Sequence, residues 1–142
     1  MRINRMASVP LLVHDPYFSI WSSADCLYDA DTAHWSGKEK RLYGHITADG
    51  ERFRFLGGED GYPVIPQTSL EVTPTATTYT FENEKLRLFV RFLSPLLPED
   101  PVLVSRPCTY VDFTVSRKQE VSVKIDFTVT GDLVFDTPGK II

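Results

Sequence analysis

From Lys85 to Phe92 the chain alternates. Leu86, Leu88, Val90 and Phe92 fall on one side and Lys85, Arg87 and Arg91 on the other, a period of two that only an extended strand converts into two chemically different faces. The pattern returns in ERFRFLG, where Phe53 and Phe55 oppose Arg52 and Arg54, and in TYVDFTVS, through Val111, Phe113 and Val115. It returns again in EVSVKIDFTVT, through Val121, Val123, Ile125, Phe127 and Val129. The expectation is a set of antiparallel strands with the apolar rows facing a core and the arginines facing water. No window shows a convincing helical period.

Turn chemistry divides these strands. Asp49-Gly50 tolerates positive φ at a two-residue turn and predicts a hairpin between Lys40–Ala48 and Glu51–Gly57. Asn83-Glu84 predicts a second hairpin, and the polar link Arg117-Lys118-Gln119 a third. GGEDGYPVIPQ holds three glycines and two prolines in eleven residues and reads as a loop crossing from one sheet region to another. SPLLPEDP is a second proline-set connection. The fold class that follows is all-β, an antiparallel β-sandwich with long irregular loops. At 142 residues the chain fits a single domain spanning 1–142, a size that buries roughly 70 per cent of the unfolded surface.

The densest stretch is PLLVHDPYFSIWS, Pro10 to Ser22, which sets a His-Asp pair beside three aromatic rings. Asp15 precedes Pro16 and is held extended, so VHD leads into a turn and FSIWS into a strand, with Phe18 and Ile20 opposite Tyr17, Ser19 and Trp21. Aromatics on both sides predict that both are covered. The irregular segment that follows, SADCLYDADTAHWSGKEK, is long for a plain connection and carries His34 and Trp35 as anchors. They are expected to fold back onto the strand holding Tyr17 and Trp21. Asp15 and Asp31 would accept backbone N–H bonds at the two ends, and His34 would reach a carbonyl. His14, Asp15, Tyr17, Trp21, Asp31, His34 and Trp35 thus form one candidate cluster, structural or interfacial.

Catalytic chemistry finds little support. His14 and Asp15 are adjacent, so in a strand their side chains diverge. His14, His34 and His45 match no metal-ligand spacing, and Asp29, Asp31, Glu59, Asp60 and Asp100 lie in polar loops where a solvated acid is the default. GxSxG, P-loop and HExxH motifs are absent. Cys26 and Cys108 read as free thiols. The formal net charge is −4, without the basic excess that nucleic acid requires, and no apolar run reaches membrane-spanning length. Arg2 and Arg5 resemble the start of a secretory leader, but Val9–Val13 contains Pro10 and stops at His14. No catalytic residue, cofactor or metal is expected. Tyr17, Trp21 and Trp35 leave open a sugar-stacking platform, and hence a carbohydrate-binding module as the rival reading. A small hydrolase using His14 or His34 with a nearby carboxylate is a third.

Taken in order, PLLVHDPYFSIWS, HWSG, the hairpin ending FRFLG, VTPTATTYTF and FLSPLLPEDPVLVSRPCTYV resemble the N-terminal region of the glutaminase A-like proteins. The resemblance implies a β-sandwich preceding a helical toroid related to the six-hairpin glycosidases, in enzymes that hydrolyse glutamine to glutamate and ammonia and are often exported. The toroid is where the resemblance places the active site. The chain is accordingly expected to be the N-terminal domain alone, non-catalytic, with a helical catalytic domain as its partner.

Overall fold

The computed structural model describes residues 6–106 and 108–134; Arg2 and Arg5 lie outside them. Nine strands and one short helix follow in order: β1 Val9–Val13, β2 Ser19–Ser22, β3 Leu42–Ala48, β4 Glu51–Leu56, β5 Gln67–Val72, β6 Ala76–Glu82, β7 Leu86–Leu93, α1 Pro101–Ser105, β8 Tyr110–Arg117 and β9 Val123–Val129. A 3-10 turn at Gly131–Leu133 ends the described chain. All ladders are antiparallel, in sheets ordered β1-β2, β4-β3-β9 and β5-β6-β7-β8. The fold is all-β, and its sheets pack on one continuous core. No helix among the described residues is long and apolar enough to cross a membrane.

The two strongest turn signals act as expected. Asp49 and Gly50 take φ of 49° and 83°, the doubly positive geometry that matches strand twist and joins β3 to β4. Asn83 Oδ1 accepts the N–H groups of Lys85 and Leu86 at 2.9 and 3.0 Å and fixes the β6–β7 hairpin. Leu86, Leu88, Val90 and Phe92 are all buried, as alternation requires. Phe55 lies across Gly44, where an added Cβ would stand 2.3 Å from the ring. Ring pairs Phe55–Phe81 and Phe113–Phe127, at 5.8 Å, stitch the three-stranded sheet to the four-stranded one. The loop after β4 does cross between sheets.

Four expectations are corrected. The Arg117–Gln119 link is no hairpin, because β8 pairs with β7 over eight residues while β9 pairs with β3. Residues 118–122 instead cross the gap between sheets to the β3–β4 turn, where Asp49 N donates to the Ser122 carbonyl and Asp49 Oδ1 accepts the Ser122 N–H. Arg54, assigned to water, is 3% exposed because the loop after β4 folds back over its side chain. Val129, assigned to the core, is 54% exposed; it forms the last pair of its ladder, opposite Leu42. Tyr17 is 94% exposed: β2 begins only at Ser19, so both faces are covered from Ser19 onward and not before. A one-turn helix, α1, also appears. It is capped by Asp100 Oδ1 accepting the Leu103 N–H at 3.0 Å and is too short to carry a period.

Candidate functional site

The β1–β2 connection is built by Asp15. Its Oδ1 accepts the N–H groups of Tyr17 and Phe18 at 2.8 and 2.9 Å, an Asx turn whose donors also hold the carboxyl below its ordinary range. His14 Nε2 stays 3.9 Å from Asp15 Oδ2, too far for a hydrogen bond. The turn therefore presents Pro16 with its carbonyl outward.

That carbonyl is the acceptor on which the long loop closes. Trp35 Nε1–H donates to it at 2.7 Å and His34 Nε2 at 3.0 Å. With Nε2 donating, His34 Nδ1 is the acceptor for the Ser36 N–H at 3.2 Å and the Ser36 hydroxyl at 2.7 Å. Both ring nitrogens are engaged. The loop is further tied by Ala33, which exchanges backbone bonds with Trp21 at 2.8 and 3.0 Å. Trp35 remains 66% exposed, so its polar edge is fixed while its ring face stands in water. Pro16, Tyr17, His34, Trp35, Leu133 and Val134 line an open cleft of about 580 Å³.

The other members of the predicted cluster go elsewhere. Trp21 donates to Ser19 Oγ at 3.1 Å and lines a separate cleft of about 220 Å³ with Thr75 and Leu96. Asp31 Oδ1 accepts the Gly58 N–H at 2.9 Å, pinning the loop to the end of β4. Asp15, Asp29, Asp31, Asp60 and Asp100 all accept backbone N–H groups. Among the described residues no group of three or more His, Cys, Asp or Glu is arranged to hold a metal ion.

One polar constellation was not anticipated. On the outer face of the three-stranded sheet, His45 Nε2 lies 2.5 Å from Asp60 Oδ2. Arg54 bonds the Gly58 carbonyl and reaches Asp60 Oδ1 at 3.5 Å and Glu59 Oε2 at 3.4 Å. Burial opposes ionisation of Asp60, but the His45 bond, the Tyr62 N–H and the charges of His45 and Arg54 outweigh it and keep the carboxyl below its usual range. Tyr62 packs edge-on against His45 at 5.4 Å, and the Arg52 guanidinium sits 5.0 Å above the Tyr62 ring. Burial also pushes the Cys26 thiol up, away from nucleophilic character. The cluster clamps the loop after β4; sequence reading names His45, Glu59 and Asp60 singly, but no local signal joins them to Arg54.

Two family models match. Each is described as a domain of unknown function: DUF4964 over residues 3–65 and DUF5127 over residues 75–142. Glutaminase A of Aspergillus oryzae is 30% identical over 78% of this chain. A probable glutaminase of Arthroderma benhamiae is 25% identical over 87% of it. The chain is a glutaminase A-like sequence. It spans 17% of the length of each of these relatives. No solved structure matches. In this glutaminase A-like sequence the two matched segments are not separate bodies: β9, from the second, completes the sheet that β3 and β4 of the first begin.

Proposed function

We propose that this chain is a single non-catalytic β-sandwich domain that docks or supports a helical catalytic domain in a glutaminase A-like protein. The observation that carries the reading is Trp35, with its N–H satisfied by Pro16 and its ring face left in water beside Tyr17. A rigid aromatic held ready in this way suits an interface, where Trp and Tyr dominate binding energy at little entropic cost. His34, the best placed imidazole, has both nitrogens committed to structural bonds. The relatives, far longer than this chain, supply room for a catalytic domain.

The direct test is ammonia release from glutamine by the purified chain. None is expected; release abolished by His14→Ala or His34→Ala overturns the non-catalytic reading. The docking role is tested in a longer glutaminase A-like protein carrying this domain. There the Tyr17→Ala, Trp35→Ala double variant should lower Tm by more than it does in the isolated chain, and equal shifts overturn it. A second reading, a carbohydrate-binding module, draws on the same exposed rings and the cleft beside them. A glycan bound on an array and lost in the double variant would favour it.

A further inference from the structure

The two matched segments are separated by residues 66–74, which neither family model covers. β5 lies in that gap and crosses over. Gln67 N donates to the Tyr28 hydroxyl at 3.1 Å and Gln67 Oε1 accepts the Leu27 N–H at 2.9 Å, which ties β5 to the first segment, yet its ladder is with β6 of the second, at five positions. β9 crosses the other way. It pairs at seven positions with β3 of the first segment, while an open seam, a cleft of about 540 Å³ lined by Val115, Val121, Val123 and Ile125, parts its first residues from β8 of its own. Divided in the β5–β6 turn, the chain gives two halves, each holding an edge strand of the other's sheet.

Side chains follow the same division. Leu42, Ile46 and Phe55 from the first half and Phe81, Leu88 and Val90 from the second are wholly buried in one cluster, and Phe55 contacts both Phe81, at 5.8 Å, and Phe113, at 6.0 Å. Thr77 Oγ1 donates to the Pro10 carbonyl and Thr130 Oγ1 to the Arg41 carbonyl, each at 2.8 Å. Asp49 grips both backbone groups of Ser122, and Arg41 holds Asp132. Either half alone would expose an apolar row and a bare strand edge, the two features that drive association. The covalent link is slight by comparison: Thr73 and Pro74 are exposed, in a tight turn where Thr73 N donates to the Ala76 carbonyl at 2.8 Å.

We infer that the chain up to Thr73 and the chain from Pro74 onward are obligate binding partners, which hold together and re-form without the peptide bond between them. Each half takes up its fold on meeting the other. The occupant of each surface is the strand already seated there, β9 on the edge of β3 and β5 on the edge of β6, so the recognition is reciprocal strand addition. Two crossings in opposite directions interlock. Neither half leaves without giving up two ladders and its share of one core. A chain bearing the first family segment therefore needs the second as its partner, on the same chain or on another, whether or not the assembled domain docks a catalytic one.

A sequence-specific protease site inserted between Thr73 and Pro74 of the full chain tests this, since an exposed turn tolerates insertion. After cleavage the two pieces should co-elute as one species with the circular dichroism of the uncut chain. Separated in urea and refolded apart, each should lack the dispersed amide NMR spectrum of the uncut chain, and mixing should restore it. Thr77→Val removes the donor to Pro10 and should raise the dissociation constant of the pieces by about tenfold. Asp112→Asn, which breaks an ion pair with Arg91 internal to the second half, should leave that constant unchanged. Pieces that part after cleavage, a single piece that shows the full dispersion, or a mixture that fails to recover it would each overturn the inference. So would Thr77→Val pieces that bind as tightly as the unaltered ones, because the contact made between separate pieces would then not be the one made within the chain.

Discussion

Trp35 donates its indole N–H to the Pro16 carbonyl at 2.7 Å, and this contact joins the loop before β3 to the turn between β1 and β2. The carbonyl also takes the His34 Nε2–H, so removing the indole donor does not orphan it. Trp35→Phe should therefore cost little, about 0.5 kcal/mol, the low end for a hydrogen bond in partly wet surroundings. Urea unfolding midpoints measure it; a loss above about 2 kcal/mol would mean the ring is supporting the core.

Phe92 and Phe127 occupy equivalent inward positions in sequence but not in the sandwich. Phe92 is 1% exposed, and Phe92→Ala should destabilise by about 3 to 5 kcal/mol. Phe127 stands on the open edge strand β9 and is half-buried, so Phe127→Ala should cost about 1 to 2 kcal/mol. Equal losses in thermal or urea unfolding would contradict the open seam between β8 and β9.

Gly44 is small because Phe55 occupies the space above it. Gly44→Ala would drive a methyl group into the ring, and overpacking of this kind costs about 1 to 3 kcal/mol. Pairing the change with Phe55→Leu should return part of the loss. No recovery in the double variant would place the strain in the strand backbone instead.

Arg54 anchors the loop after β4 from beneath. Arg54→Ala leaves Asp60 without its guanidinium and the Gly58 carbonyl without a donor, and should destabilise by about 3 kcal/mol, the low end for breaking a buried pair. Arg54→Met with Asp60→Asn, which removes both charges, should be milder than Arg54→Ala alone. Additive losses across Arg54→Met, Asp60→Asn and the double variant would show that the two side chains act independently.

Alternation and turn chemistry made most of the fold legible. Asp49-Gly50 and Asn83 fixed two hairpins because a turn is a local property, and the inward rows of β7 and β8 followed from a period of two. Alternation names the face of a strand but never its neighbour, so nothing local distinguished β9 paired with β8 from β9 paired with β3. Arg54 misled for a different reason: its face was right, yet the loop that directly follows β4 folds back over that face. In the candidate site, Asp15 before Pro16 announced its turn. The Pro16 carbonyl was invisible, because every residue but the side chain's own partner offers the same backbone acceptor. His45 and Asp60, fifteen residues apart, meet only because Gly57 and Gly61, both at positive φ, bend the acidic loop back over β3.

Asp60 and Asp132 are two of the carboxyls held below their ordinary range, with Asp15, Glu59 and Glu82 the others. The Arg41 hydrogen bond, at 2.5 Å, holds the Asp132 carboxyl below its ordinary range, and Asp60 is depressed by His45, Tyr62 and Arg54 despite its burial. In the unfolded chain both return to an aspartate value of about 3.9. Each folded value is therefore lower than its unfolded one. The stability these groups contribute is fully present above the unfolded value and is lost as pH falls through the folded one. Urea midpoints should hold level for these two groups above about pH 5 and decline below it, as the unfolded chain takes up protons first. Asp60→Asn or Asp132→Asn should be less stable at neutral pH and show a shallower decline on acidification. A variant whose acid slope matches that of the parent chain would mean that the carboxyl it lacks has the same proton affinity folded and unfolded.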